Sequence, residues 1–377
     1  MNNKLHILFI CGWYPSRVLP TNGDFIERHA LAVSLKHKVT VIHIITDTNC
    51  KNDIEIETKN NKNFTVHIAY VKPQKKAINK IKLFWKAYQL ILKKVKKFDV
   101  IHLNEIYPFG ILAKYTAKKH KVPYLISEHY TGYLKSSKIK ISFFEKIISK
   151  IITKNASAIC TVSNYLSTNM QNLGFKGNYV TVPNVVDTEV FYPNKKAENS
   201  LKLVHVSSLK NEHKNITGML RVAKLLETYF DYFEWTFIGN NGDEYLQFLN
   251  DLNIKKGEIS FLEHQSQKKL ATHLQYATLC ISFSNYETFG IVITEAIACG
   301  TPVIATETGV ALDLKETGFC KIIPVKNEEI LLQEILNHKT TFANLDVSKM
   351  HHFIQQQYSK EVISHKFSLL YYQSLKK

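Results

Sequence analysis

Short runs that are apolar on both faces recur along this chain and alternate with longer helical segments. The runs "LHILFI" at residues 5–10 and "TLCISF" at residues 278–283 show the pattern most clearly. A strand with no polar face fits where helices cover both sides of a parallel sheet. The alternation therefore predicts an α/β fold of doubly wound sheets.

The predicted strands fall into two similar sets, one in each half of the chain. The first set comprises residues 5–10, 38–45, 64–71, 99–103, 123–127, 157–162 and 178–182, and the second comprises 201–207, 234–239, 258–262, 278–283, 302–306 and 319–323. Between the sets lies "VDTEVFYPNKKAENS", which is polar and without periodicity, and is predicted to be a hinge. We expect two Rossmann-like domains, residues 1–186 and 187–357, with a C-terminal helix at 358–377 packing back on the first.

Length and composition agree with two domains of a folded protein. The chain has 377 residues, 45% hydrophobic and 21% charged, and no stretch approaches the roughly 20 apolar residues that span a bilayer. Its first residues lack a signal-peptide cleavage site, so we expect a cytoplasmic protein. The six cysteines are scattered without a C-x-x-C pair and are predicted to be reduced core residues.

The net charge of +17 comes almost entirely from lysine, since only Arg17, Arg28 and Arg221 are arginines. One interpretation is attraction to a polyanion, either nucleic acid or an anionic membrane. The other is an AT-rich genome that encodes lysine freely, in which case the charge has no functional meaning. No helix-turn-helix, zinc finger or aromatic RNA-binding signature accompanies the charge, and scarce arginine argues against phosphate forks.

Two carboxylates, Glu287 and Glu295, lie in "SNYETFGIVITEAIACGTPVIAT" with seven residues between them. The segment predicts a loop, a helix beginning near residues 288–290 and ending at Gly300, and a buried strand. Free N–H groups at that helix start form an anion site suited to a diphosphate. Both glutamates can then face one cleft. The structural alternatives are that Glu287 is an acidic residue favouring the helix N-terminus and that Glu295 lies on a solvated helix face.

This segment resembles the donor-site signature of the retaining glycosyltransferases with the two-Rossmann-domain architecture called GT-B, family 4 or group 1. The resemblance implies that Glu287 faces the sugar of a nucleotide-sugar donor and that Glu295 holds the ribose hydroxyls. It implies that the diphosphate meets the backbone of Thr288, Phe289, Gly290 and Ile291. The first domain would then bind the acceptor and the second the donor.

Further matches extend the resemblance over most of the chain. "VHVSSLKNEHKN" at residues 204–215 is similar to the strand and loop that carry an Arg and a Lys onto the donor phosphates. Lys214 occupies the Lys position, Ser208 stands where Arg is usual, and Lys210 is the expected substitute cation. "GWYPSRVLPTNGDFIERHALAV" resembles the opening loop, in which Gly23 would approach the phosphates.

"SEHYTGY" at residues 127–133 resembles the version found in enzymes that build bacterial surface polysaccharides, with His129 facing the cleft. A histidine after a strand also has a purely structural interpretation. The resemblance implies retention of configuration through same-face attack, with Glu287, His129 and Lys214 at the reacting centre and Glu287 orienting the sugar. Because no Asp-x-Asp motif occurs, we expect transfer from a UDP-sugar or GDP-sugar without a metal or other cofactor.

Two lysine-rich segments of the first half, residues 75–98 and 133–154, carry apolar residues at helical spacing. Both have the pattern of helices that lie at a membrane interface, and a lipid-linked or glycan acceptor at the inner face of the plasma membrane would fit it. Ordinary helices packed on the sheet are the alternative. A nucleotide-sugar epimerase of the same architecture and a polyanion-binding protein are the competing functions.

Overall fold

The computed structural model describes residues 4–194 and 200–376. Its first sheet contains eight strands: β1 (His6–Cys11), β2 (Lys38–Thr46), β3 (Ile54–Asn61), β4 (Phe64–Val71), β5 (Val100–Asn104), β6 (Tyr124–Glu128), β7 (Ile159–Thr161) and β8 (Tyr179–Thr181). The strand order is β3-β4-β2-β1-β5-β6-β7-β8, parallel throughout except for β3. The helices of this unit are α1 (Asp24–Ser34), α2 (Ala77–Leu92), α3 (Gly110–His120), α4 (Phe143–Asn155) and α5 (Asn164–Asn172).

The second sheet contains six parallel strands in the order β11-β10-β9-β12-β13-β14. They are β9 (Leu201–Val206), β10 (Phe233–Ile238), β11 (Gly257–Leu262), β12 (Leu279–Ser282), β13 (Val303–Thr306) and β14 (Cys320–Ile323). The remaining helices are α6 (Asn211–Lys214), α7 (Ile216–Leu226), α8 (Leu246–Leu252), α9 (Gln267–Tyr276), α10 (Ile291–Ala298), α11 (Glu328–Leu336), α12 (His338–Thr341), α13 (Val347–Tyr358) and α14 (Lys360–Ser374). The predicted fold of two parallel-sheet α/β units is confirmed.

Every predicted strand is present, and β3 is the one that the sequence did not predict. It pairs only with β4, antiparallel, so it lies at the edge of the sheet. Its residues are half-buried or exposed, and isoleucine alternates with glutamate in its first half. The search for strands that are apolar on both faces misses such an edge strand, because water covers one of its faces.

The last helix belongs to the core of the first unit. Within α14, Tyr371 OH and His102 Nδ1 of β5 are 2.6 Å apart, and Ser368 Oγ lies 2.8 Å from His37 Nε2. The chain crosses between the units twice, and the crossings adjoin because Val186 N donates to Tyr358 O at 2.9 Å. Residues 195–199 of the predicted hinge lie outside the described residues.

All six cysteines are buried and none forms a disulfide bond, as predicted. They belong to the hydrophobic interior: Cys11, Cys50 and Cys160 in the first unit, and Cys280, Cys299 and Cys320 in the second. No helix within residues 4–194 and 200–376 combines the length and the apolar character needed to cross a bilayer.

Candidate active site

A cavity of about 670 Å³ lies between the two units, where the carboxyl ends of their strands face each other. Open parallel sheets bind ligands at this edge. The wall contains most of the predicted site residues, namely His129, Ser208, Lys214, Glu287, Thr288, Phe289, Gly290, Ile291 and Glu295. The fold therefore brings together residues that are up to 166 positions apart in the sequence.

Glu287 lies in the loop after β12 and is the most densely contacted carboxylate of the cavity. It forms an ion pair with Lys214, accepts a hydrogen bond from Ser284 Oγ at 2.8 Å, and lies 3.6 Å from His213 Nε2. Burial raises the pKa of Glu287, but the charge of Lys214 and the contact with His213 outweigh burial and hold the pKa below its ordinary range. Glu287 is therefore an ionised, fixed acceptor rather than a proton donor.

The N-terminus of α10 adds backbone donors beside Glu287. Gly290 caps this helix in the left-handed region (φ 84°), where glycine is favoured, and the cap has no side-chain hydrogen bond. The N–H of Ile293 donates to Gly290 O at 3.0 Å, whereas the N–H groups of Ile291 and Val292, which precede it in the first turn, are the ones open to an anion. On its outer side the loop is tied to the first unit, because Ser163 Oγ donates to Thr288 O at 2.5 Å.

Glu295 lies one turn inside α10, and its side chain is 2% exposed. Its Oε1 is 2.7 Å from Nη1 of Arg28, which comes from α1 of the opposite unit. Burial raises the pKa of Glu295, and the guanidinium opposes that rise. Arg28 was counted in the sequence only as one of three arginines, and no local pattern joins it to Glu295, 267 positions away.

His129 follows β6 and lies deep in the first unit's side of the cavity. Neither ring nitrogen has a hydrogen-bond partner among the described residues, although the ring is packed 4.7 Å from Phe25 and 5.6 Å from His29 between centroids. Burial, reinforced by His29 and His102, lowers the pKa of His129 well below its ordinary value. The imidazole is therefore neutral and keeps one unused donor and one unused acceptor, although both nitrogens are buried.

Two predicted residues are not on the cavity wall. Gly23 caps α1 in the left-handed region (φ 75°), and a Cβ there would come within 2.7 Å of the backbone of Trp13. Its neighbours Asn22 and Asp24 reach the wall instead. Lys210 is exposed and precedes the short helix α6, whereas Lys214 ends that helix and turns inward. Lys210 therefore does not take the place that Ser208 leaves without a cation.

The sequence also missed His213, which supports the Glu287 pair. Its ring stacks on Tyr286 with centroids 4.4 Å apart and planes within 10°. The only sequence signal was its position directly before Lys214.

Among residues 4–194 and 200–376, no group of three or more His, Cys, Asp and Glu side chains is arranged to hold a metal ion.

Two family models match this chain and together span most of it. The model described as Glycosyltransferase Family 4 matches residues 29–190, and the model described as Glycosyl transferases group 1 matches residues 187–338. Among curated relatives, the alpha-monoglucosyldiacylglycerol synthase of Acholeplasma laidlawii is 24% identical over 315 residues, which is 77% of this chain and 78% of the relative. These matches set aside the epimerase alternative.

Solved structures share the whole architecture. Sucrose-phosphate synthase from Thermosynechococcus elongatus superposes with a TM-score of 0.77 at 17% identity, covering 98% of this chain and 99% of the other. Anabaena HepE in complex with UDP and glucose gives 0.71 at 15% identity, covering 97% and 98%. The chain belongs to the GT-B glycosyltransferases of family 4 and group 1.

Proposed function

We propose that the chain transfers a hexose or a related sugar from a nucleoside diphosphate sugar to a hydroxyl of a glycan or lipid-linked acceptor, with retention of configuration. One observation carries the proposal: the ionised Glu287, paired with Lys214, lies beside the open N-terminus of α10 on the wall of the cleft. A cation and backbone N–H groups, which can bind the diphosphate, thus lie next to a carboxylate that can accept hydrogen bonds from the sugar hydroxyls.

The reaction breaks the bond between the anomeric carbon and a phosphate oxygen, and negative charge develops on the departing diphosphate. The ammonium of Lys214 and the first N–H groups of α10 stabilise that charge. The acceptor oxygen bonds to the anomeric carbon on the same face, and its proton passes to the leaving phosphate oxygen. Glu287 orients the sugar through its hydroxyls, and His129 positions sugar or acceptor from the other wall.

We further propose that transfer requires no metal. Lys214 and the N–H groups of α10 stabilise the negative charge of the diphosphate, which a divalent cation does in metal-dependent enzymes. The donor that we would test first is a UDP-sugar, because HepE has been solved with UDP and with UDP-glucose. A GDP-sugar is the alternative.

The test is transfer itself, with UDP-glucose, UDP-galactose, GDP-mannose and ADP-glucose offered to the purified chain with and without EDTA. We expect release of one nucleoside diphosphate, unchanged by EDTA, and an NMR spectrum of the product with the anomeric configuration of the donor. Loss of release in EDTA, restored by Mg²⁺, would contradict metal independence. An inverted anomer would contradict the proposed stereochemistry.

A membrane-facing role fits the surface of the first unit. Phe143 and Phe144 at the start of α4 are each 73% exposed, and Ile81 of α2 is 68% exposed. These apolar side chains lie among the lysines of the two basic segments, of which residues 75–98 contain nine lysines and no acidic residue. We propose that this face docks on an anionic membrane at the cytoplasmic side, where the chain glycosylates a lipid-linked acceptor of a surface polysaccharide.

Vesicle sedimentation tests the docking face. We expect binding to phosphatidylglycerol vesicles that weakens as salt rises, and little binding to phosphatidylcholine. Replacing Phe143 and Phe144 together by serine should weaken it about tenfold, since each ring contributes apolar burial. The control, Leu369→Ser on α14, removes an apolar side chain that is 48% exposed and lies outside the two basic segments. Equal, salt-insensitive binding to both lipids would contradict the proposal.

A further inference from the structure

Arg28 connects the two walls of the cleft. Its Nη1 lies 2.7 Å from Glu295 Oε1 of the second unit, and its Nη2 lies 2.9 Å from Asp24 Oδ2 of its own helix. The amide oxygen of Gln267 on α9, in the orientation that satisfies both side chains, accepts from Nε at 3.2 Å and from Nη2 at 3.1 Å. The Arg28 side chain is only 13% exposed, so its fork is occupied in three directions inside the cleft.

The choice of arginine at this position is informative in a chain that uses lysine almost everywhere. Of 49 basic residues only three are arginines, and each holds carboxylates with several nitrogens. Arg17 pairs with Asp47 and Glu55, and Arg221 pairs with Glu328. Lysine supplies charge but not a planar fork. The contacts of Arg28 use all three guanidinium nitrogens, and a lysine at this position could form only some of them.

The contact leaves Glu295 half occupied. Arg28 binds Oε1, and no described residue donates to Oε2. Glu295 lines the cavity, so the second oxygen is the one that a ligand can reach. A carboxylate that is fixed on one side and open on the other offers a defined acceptor to a hydroxyl group.

We propose that Arg28 is a positioning residue of the donor site: from the opposite unit it fixes one oxygen of Glu295 and so presents the other to the ribose hydroxyls of the donor. This inference rests on the proposed function, because the ribose belongs to the nucleoside diphosphate sugar. Its consequence is that the second unit does not recognise the ribose on its own. Recognition depends on a side chain of the unit that binds the acceptor.

The experiment measures binding of UDP and 2′-deoxy-UDP to the full chain by calorimetry. If GDP or ADP is the nucleotide that binds, the experiment compares that nucleotide with its 2′-deoxy form. The wild type should bind the ribose form at least about tenfold more tightly, because leaving a buried carboxylate oxygen without a hydrogen-bond partner costs binding free energy. Arg28→Ala should weaken UDP binding about 10- to 100-fold and bring the ratio close to one. Arg28→Lys should restore part of both.

The matched control is Arg221→Ala, which also removes an arginine–glutamate pair but lies away from the cleft. It should leave the ratio unchanged. A wild type that discriminates while Arg28→Ala and Arg28→Lys keep the same ratio would overturn the role of Arg28 and leave the proposed function intact. A wild type that binds both nucleotides equally would overturn ribose recognition by Glu295, and with it this inference. A wild type that binds no nucleotide would overturn the proposed function itself.

Discussion

The carboxyl groups near the carboxyl-terminal edges of the two sheets differ in their partners. In the second unit, Glu287 and Glu295 each contact a cation, Lys214 and Arg28. In the first unit no cation within residues 4–194 and 200–376 pairs with Glu105, which follows β5, and burial together with the nearby carboxyls raises its pKa to about 9. The two carboxylates of the second unit are thus paired with cations on the cavity wall, whereas Glu105 lies off that wall and its raised pKa favours the uncharged acid.

Glu128, at the end of β6, shows how the first unit uses such a group. Its carboxyl accepts hydrogen bonds from the backbone N–H groups of Ile106, His129 and Tyr130 at 2.7 to 2.9 Å. Burial raises its pKa to about 7 despite those bonds. Glu105 and Glu128 both lie behind the cavity wall, whose first-unit side includes the charged Asp24, Glu27 and Arg28. The difference between the units teaches that the second unit holds its carboxylates ionised on the wall, whereas the first unit buries two carboxyls with raised pKa values beneath it.

The largest effect should follow from Glu287→Gln, which removes the paired charge without a change of volume. We expect turnover to fall about 10²- to 10³-fold, since an oriented acceptor at the sugar is lost. The dissociation constant of UDP should change only a few-fold. Glu316→Gln, at an exposed site, is the control. Turnover equal to that of the wild type would remove Glu287 from the reacting centre.

On the opposite wall, His129→Phe keeps a ring but removes both nitrogens. Turnover should fall about 10- to 100-fold while UDP binding stays within about twofold, because the lost hydrogen bonds reach sugar or acceptor rather than the nucleotide. The burial that lowers the pKa of His129 also predicts that its ionisation does not appear in the pH–rate profile between pH 6 and 8. A loss confined to UDP affinity would place His129 on the donor's nucleotide instead.

Glu105→Gln tests whether the first unit's carboxyl is uncharged. Its native pKa, about 9, lies above the value in the unfolded chain, so the wild type loses stability as pH rises toward 9. The amide does not titrate. The melting temperature of the variant should therefore exceed that of the wild type by a margin that grows from pH 5 to pH 8.5. A constant difference across that range would show that Glu105 does not carry the raised pKa.

The smallest effect is expected from Ser208→Arg, which restores the cation that the family usually has. Ser208 lines the cavity and is exposed to solvent, so the new charge should tighten UDP binding only about two- to fivefold. The gain should shrink at high salt. Titration by calorimetry at two salt concentrations measures the gain in UDP affinity and its dependence on salt. Weaker binding by the variant would indicate that the bound diphosphate does not lie near Ser208.

Local patterns predicted the fold and most of the donor wall. Thirteen runs of apolar residues located thirteen of fourteen strands, and the loop from Glu287 to Ile291 was placed by its position between a buried strand and a helix. These features depend on neighbours in the sequence. The edge strand β3 escaped because one of its faces is polar, and only its pairing with β4 shows that it is a strand.

What the sequence did not predict are contacts between distant segments. The pair of Arg28 and Glu295 joins the two units across 267 positions, and its formation depends on how the units meet. Whether Lys210 reaches the site as a substitute for the cation missing at Ser208 also depends on the local fold. The single turn of α6 leaves Lys210 exposed and directs Lys214, as expected for its position, toward Glu287.

The most direct test of the account compares these two lysines. Thermal unfolding and calorimetry with UDP, GDP and ADP should show one nucleotide that stabilises the wild type, by about 2.7 kcal/mol at 100 times its dissociation constant. Lys214→Ala should abolish most of that shift, and Lys210→Ala should retain it. Equal loss in both variants, or no shift with any nucleotide, would contradict a donor site built on Lys214 and Glu287.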